Sequence, residues 1–71
     1  MNIIGLNVQR IRENKGWSQD QLAAKCNLQE FNISRSTLAK IESKVRRVTD
    51  IEVKLFSDIL NVSINELFKD I

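Results

Sequence analysis

Few side chains in this 71-residue chain are suited to covalent or acid–base chemistry. There is no histidine, and Cys26 is the one cysteine. Ser/His/Asp and Cys/His triads are therefore excluded, since each uses an imidazole base. The usual zinc ligand sets are missing as well. No disulfide can form within the chain. The two glycines, Gly5 and Gly16, make no phosphate-cradling loop. These features predict no enzyme, no metal, no cofactor and no small-molecule substrate.

What remains is the non-covalent chemistry of cations. Residues 1–47 carry Arg10, Arg12, Lys15, Lys25, Arg35, Lys40, Lys44, Arg46 and Arg47 against Glu13, Asp20, Glu30 and Glu42, a balance of +5. Residues 48–71 carry Lys54 and Lys69 against Asp50, Glu52, Asp58, Glu66 and Asp70, a balance of −3, which completes the net +2. A basic front and an acidic back fit a polyanion on one side and a different partner on the other. They are also compatible with an ordinary solvated surface.

The elements that must position these charges are short helices. Hydrophobic residues make up 42% of the chain, which is globular composition, yet no apolar run reaches the roughly 20 residues of a membrane helix. The chain carries no secretory signal pattern, so a cytoplasmic location is expected. Apolar spacing predicts helices over about 4–15, 19–26, 35–43, 50–60 and 64–69, all in one domain spanning 1–71. Ile4, Val8 and Ile11 share one face of the first helix, and Gly16 ends it. Ser18 with Gln21, Thr49 with Glu52, and Ser63 with Glu66 have capping-box spacing. Trp17 with Leu22, Ile33 with Leu38, and Val62 with Leu67 are staple pairs. Asn27 and Asn61 are candidate left-handed caps. Leu22, Ala23 and Cys26 form the inner face of the second helix. The fourth helix carries the widest apolar face: Ile51, Leu55, Phe56, Ile59 and Leu60. The third, capped by Ser34, has only Leu38 and Ile41 to bury and offers most of its surface outward. Cys26 reads as a small buried hydrophobe, Trp17 as a core residue, and Phe31 as an aromatic that tucks a loop onto the core.

The segment Ser18–Leu28, continued by Ser34–Glu42, resembles the phage-repressor and Cro-like (XRE-type) helix-turn-helix proteins. Further matching positions are Gly5, Val8, Ile11 and Arg12 at the start and Leu60–Ser63, Leu67 and Phe68 at the end. The resemblance covers nearly the whole chain, with the motif at about 18–43. As a set these residues are specific, though none is so alone. The sequence departs from the family in three places. Gln29–Ile33 lengthen the motif turn into a loop, Cys26 stands where leucine is usual, and Asn27 where glycine is usual.

The resemblance implies an all-α, compact five-helix repressor-like fold with a lengthened loop between helices 2 and 3. It implies a sequence-specific regulator that binds double-stranded DNA, with helix 3 in the major groove. Its base-contacting positions fall on Arg35, Ser36, Ala39 and Lys40. Arginine and lysine suit guanine O6 and N7, and the alanine methyl suits thymine. Its backbone-contacting positions fall on Gln19, Ser34, Lys44, Arg46 and Arg47. Arg12 and Glu42 are structural in the family. A homodimer is expected, since one helix reads only a few base pairs, and Leu67, Phe68 and Ile71 are candidates for its interface. The alternative is a protein-interaction module, such as an antitoxin or adaptor, that uses the same fold as a scaffold.

Overall fold

Each of the first four helices stops in the same way, and this repeated stop sets the path of the chain. The structure is a computed structural model and describes residues 2–70. Five helices are present among them: α1 (Gly5–Asn14), α2 (Gln19–Leu28), α3 (Arg35–Glu42), α4 (Asp50–Leu60) and α5 (Ile64–Leu67). At the ends of α1 to α4 the left-handed residues are Gly16, Glu30, Lys44 and Asn61, with φ of 74°, 63°, 67° and 56°. In each case the next amide reaches five carbonyls back: Trp17 N to Arg12 O at 3.1 Å, Phe31 N to Cys26 O at 2.9 Å, Val45 N to Lys40 O at 2.8 Å and Val62 N to Ser57 O at 3.1 Å. This is the Schellman arrangement, which satisfies carbonyls that a helix end leaves open.

Asn27 is not the left-handed cap that its type suggested. It lies inside α2, and its Nδ2 donates to Ala23 O at 2.8 Å and Ile33 O at 3.0 Å. The side chain thus ties the inserted loop to the helix before it, and Glu30 takes the left-handed position instead. Phe31, the residue after Glu30, is buried and meets the ring of Phe56 edge-on, with centroids 5.2 Å apart. The insertion is therefore anchored at both Asn27 and Phe31.

The helix starts follow local chemistry closely. Ser18 and Thr49 form complete capping boxes with Gln21 and Glu52. Ser63 accepts from Glu66 N at 3.3 Å, which is half of a box. Ile4, Val8, Leu22, Cys26, Leu38, Ile41, Phe56, Leu60 and Leu67 are fully enclosed. Ile51 is not among them and is 69% exposed. It precedes Phe56 by five residues, or roughly 140° around the helix, so it faces outward while Val53 packs on the core.

Two close ties hold α1 in place. Gly5 lies against the backbone of α3, where an added methyl would overlap the Ile41 carbonyl oxygen. Asn7 donates from Nδ2 to Leu67 O at 2.9 Å and to Lys69 O at 2.8 Å, joining α1 to the end of α5. Among the described residues no helix is long and apolar enough to cross a membrane.

Candidate nucleic-acid interface

Leu38 and Ile41 fasten α3 to the core, and its other faces are left available. Of its eight residues only Leu38, Ile41 and Glu42 are buried. Arg35, Ser36 and Lys40 are exposed and Ala39 is half-buried. Ser34 Oγ accepts from Thr37 N at 3.1 Å, which fixes where the helix begins. The amides of Arg35 and Ser36, in the first turn, have no acceptor within the helix. They give this end a positive partial charge beside the Arg35 guanidinium. Arg35 Nε lies 3.8 Å from Asp20 on α2, but both side chains are well exposed. Such a pair contributes little and leaves the guanidinium free to change partner.

The other end of α3 is locked from within. Arg12 Nε donates to Glu42 Oε2 at 2.8 Å and its terminal nitrogen Nη2 to Oε1 at 3.0 Å. Arg12 Nη1 also donates to Trp17 O at 2.7 Å. Gln19 Nε2 donates to Glu42 Oε1 at 3.0 Å. One carboxylate therefore joins α1, the start of α2 and the end of α3. The hydrogen bond from Arg12 to Glu42 raises the pKa of Arg12 above its ordinary value, against the opposing effect of burial. Gln19, expected to face a phosphate and brace the recognition helix, has one amide hydrogen committed to Glu42. Its oxygen and second hydrogen have no partner required by that bond.

The loop after α3 carries the remaining cations. Lys44 is exposed in its left-handed conformation, and Arg47 is exposed beside it. Arg46 is engaged with the protein: its terminal nitrogens donate to Glu52 at 3.0 and 2.8 Å, and to Arg47 O at 2.8 Å. That hydrogen bond is the main reason the Glu52 carboxyl titrates below its ordinary value, and burial works the other way. Sequence reasoning did not reveal the Arg46–Glu52 pair. It also missed Asn2, whose Nδ2 donates to Ile41 O at 2.6 Å and Arg46 O at 3.0 Å. Asn2 thereby ties the start of the chain to the basic loop. A lone asparagine ahead of a helix carries no signal for partners this distant in sequence.

Two residues lie off this surface. Cys26 is enclosed, and burial pushes its thiol up to about 11, so it stays protonated and inert at neutral pH. Leu67 is fully enclosed too. Its side chain serves the core and is not accessible at the surface, unlike the interface position expected from its residue type. Phe68 is 39% exposed and lines an apolar hollow of about 400 Å³ with Ile3, Val48, Val53 and Ile64. Ile71, the third candidate for that interface, lies outside the described residues.

A capped helix that presents cations outward, braced on a second helix through a shared carboxylate, defines a helix-turn-helix protein. A family model described as helix-turn-helix matches residues 8–67, and the chain belongs to this family, of XRE type. It is accordingly a DNA-binding regulator of transcription. No match was found among curated proteins or among solved structures.

Proposed function

We propose that the protein is a sequence-specific reader of duplex DNA that places α3 in the major groove and acts as a homodimer. The observation that carries this reading is the outward face of α3. Arg35, Ser36, Ala39 and Lys40 are accessible there, on a helix whose two ends are fixed by the Ser34 cap and the Glu42 carboxylate. Base readout needs donors held at a fixed depth and angle. A helix locked on its inner side supplies that. Gln19, Ser34, Lys44 and Arg47 flank it and supply phosphate contacts. Arg46 joins them only by giving up Glu52, so its main part is to shape the loop that carries its neighbours.

The homodimer is supported by size. Half-sites on one face of a duplex lie roughly 34–36 Å apart. The fold measures 27 × 22 × 20 Å, too small to cover two of them. Two copies side by side would cover both, and the hollow at Phe68 is an apolar surface that could join them. Sedimentation of Phe68→Asp should show monomers where the wild type shows dimers. A mutant that dimerises as well as wild type would remove this surface from the interface.

The test of the whole reading is selection from a random pool of duplexes, followed by sequencing. A two-fold symmetric motif is the expected result. An unpaired half-site would keep the DNA role and remove the homodimer. No enrichment at low salt would move the reading to a protein-interaction module. On the selected duplex, Arg35→Ala should cost roughly 1–3 kcal/mol and relax the sequence at one base pair. An equal loss on every sequence would reassign Arg35 to a phosphate.

Lys44 offers a sharper case, because its backbone and its side chain pull in opposite directions. A left-handed conformation costs a non-glycine residue about 1 kcal/mol. Lys44→Gly should therefore raise the melting temperature by roughly 4–8 °C. The same variant should bind all DNA sequences more weakly and show a shallower salt dependence, by about one in the log–log slope. A variant that is neither more stable nor weaker on DNA contradicts both halves of the argument.

A further inference from the structure

Leu28 is the most exposed large hydrophobic residue described, at 82%, and it has company. Gln21, Ala24, Lys25 and Leu28 fall at i, i+3, i+4 and i+7 on α2, a single stripe down that helix. The buried residues Leu22, Ala23 and Cys26 occupy the inner face, so this stripe looks away from the core. Gln19 lies about 120–180° around the helix from its members, on the side joined to Glu42. The stripe runs beside Trp17, and together they line a shallow hollow of about 330 Å³. A second hollow of about 240 Å³ continues past Leu28 toward Asp58 and Ile59.

The one charged residue that lines the first hollow is the cation Lys25, and Lys15 lies close by. The ammonium of Lys25 lies 4.5 Å from the centre of the Trp17 ring, and that of Lys15 lies 5.2 Å from it. Neither lysine has a carboxylate within 4.0 Å among the described residues. The nearby carboxylate, Asp58, is already matched by Lys54 at 2.8 Å. The result is an apolar floor of Trp17, Ala24 and Leu28 with Lys25 at its rim and Lys15 beside the Trp17 ring, neither of them in an ion pair among the described residues. An indole held under ammonium groups is a stiff platform that loses little freedom when covered.

We infer that this face of α2 docks an acidic segment of another protein, one that sets an aliphatic or aromatic side chain on Ala24 and Leu28 and carboxylates against Lys15 and Lys25. Charge complementarity selects the occupant. A neutral apolar partner would leave both ammonium groups partly desolvated without a counter-charge. A basic one would be repelled. A nucleic acid would match the lysines but would set phosphates over Ala24 and Leu28, which accept no hydrogen bond and carry no charge. The face lies opposite the one joined to α3, so a partner here does not compete for the recognition helix.

The test uses the whole chain and a random-peptide display library as the probe. Wild-type protein should enrich peptides in which acidic residues flank a large apolar residue. An enriched peptide, added to the nitrogen-15-labelled protein, should shift the Trp17 indole and the Ala24 and Leu28 amide signals. Lys25→Gln and Leu28→Ser should each weaken that peptide by about tenfold, the effect of losing one anchor contact. Leu28 is exposed, so Leu28→Ser should melt as wild type does, and Lys25→Gln should lose only the contact with Trp17 and melt slightly lower. Enrichment without acidic residues would overturn the proposal, as would shifts centred on Phe68 and Ile64. A loss of duplex binding by Leu28→Ser as large as that by Arg35→Ala would assign the face to nucleic acid and also overturn it. The proposed DNA reading fails by a separate result, namely wild-type protein that enriches no duplex.

Discussion

Glu42→Ala should destabilise the fold by about 3–5 kcal/mol, because it strands a buried guanidinium. Arg12 is 7% exposed and spends two nitrogens on Glu42. Without the carboxylate that charge stays buried, met only by the Trp17 carbonyl and, more weakly, by the exposed carboxylate of Glu13 at 3.8 Å. A chain of 71 residues has a total stability of about 4–10 kcal/mol, so one substitution would remove much of it. Urea unfolding followed by circular dichroism reads this directly. The paired change Arg12→Met with Glu42→Leu separates the causes. It removes both charges and keeps apolar volume, so it should recover most of the loss. A double variant no better than Glu42→Ala would mean that packing, not the stranded charge, sets the cost. The same carboxylate holds Gln19, so Glu42→Gln should also loosen the start of α2 against α3.

Gly5→Ala should destabilise by about 2–3 kcal/mol, which reverses the usual sign. Inside a helix alanine is ordinarily favoured over glycine by roughly 1 kcal/mol. At Gly5 the new methyl would overlap the Ile41 carbonyl oxygen, which is backbone and cannot swing aside. α1 and α3 would have to part, and the contacts of Ile4 and Ile41 would loosen with them. Gly16 is the internal control. A methyl there meets nothing within 4 Å, yet the residue sits at φ 74°. Gly16→Ala should cost only the left-handed penalty of about 1 kcal/mol. Thermal melts should therefore rank wild type, Gly16→Ala and Gly5→Ala in falling order. A gain of stability in Gly5→Ala would refute the close approach of the two helices.

Local chemistry made most of the fold legible. Ser18, Ser34 and Thr49 announce helix starts because a cap acts within three residues of itself. Gly16 and Asn61 announce ends for the same reason. Misreadings arose wherever a residue type was weighed without its angle or its distant partner. Ile51 is apolar but sits on the wrong side of α4, and Val53 takes the place expected of it. Asn27 favours a left-handed end, yet the helix runs on to Leu28, Glu30 takes the left-handed position and Phe31 reaches the core. Leu67 and Phe68 are adjacent and alike, and only the packing of α5 decides that one is enclosed and the other half open. On the candidate interface, the outward face of α3 was readable from its thin apolar stripe. The clasp of Arg46 by Glu52 was not, because nothing in a six-residue spacing across a loop predicts a bidentate pair.

The amide of Asn7 bears on how the chain is made as well as on how it holds together. Its two acceptors lie 60 and 62 residues further along, at the end of α5 and just beyond it. During synthesis the first helix leaves the ribosome well before those carbonyls exist. Until then Asn7 has only water to bind, and Leu67 is missing from the core it fills. The first four helices have the local signals to form early, but this tie cannot close until residues 67–69 emerge. Completion of the fold is thereby deferred until the segment after Asn61 has emerged, and a nascent chain stalled at Asn61 should remain open to protease where the folded domain resists it.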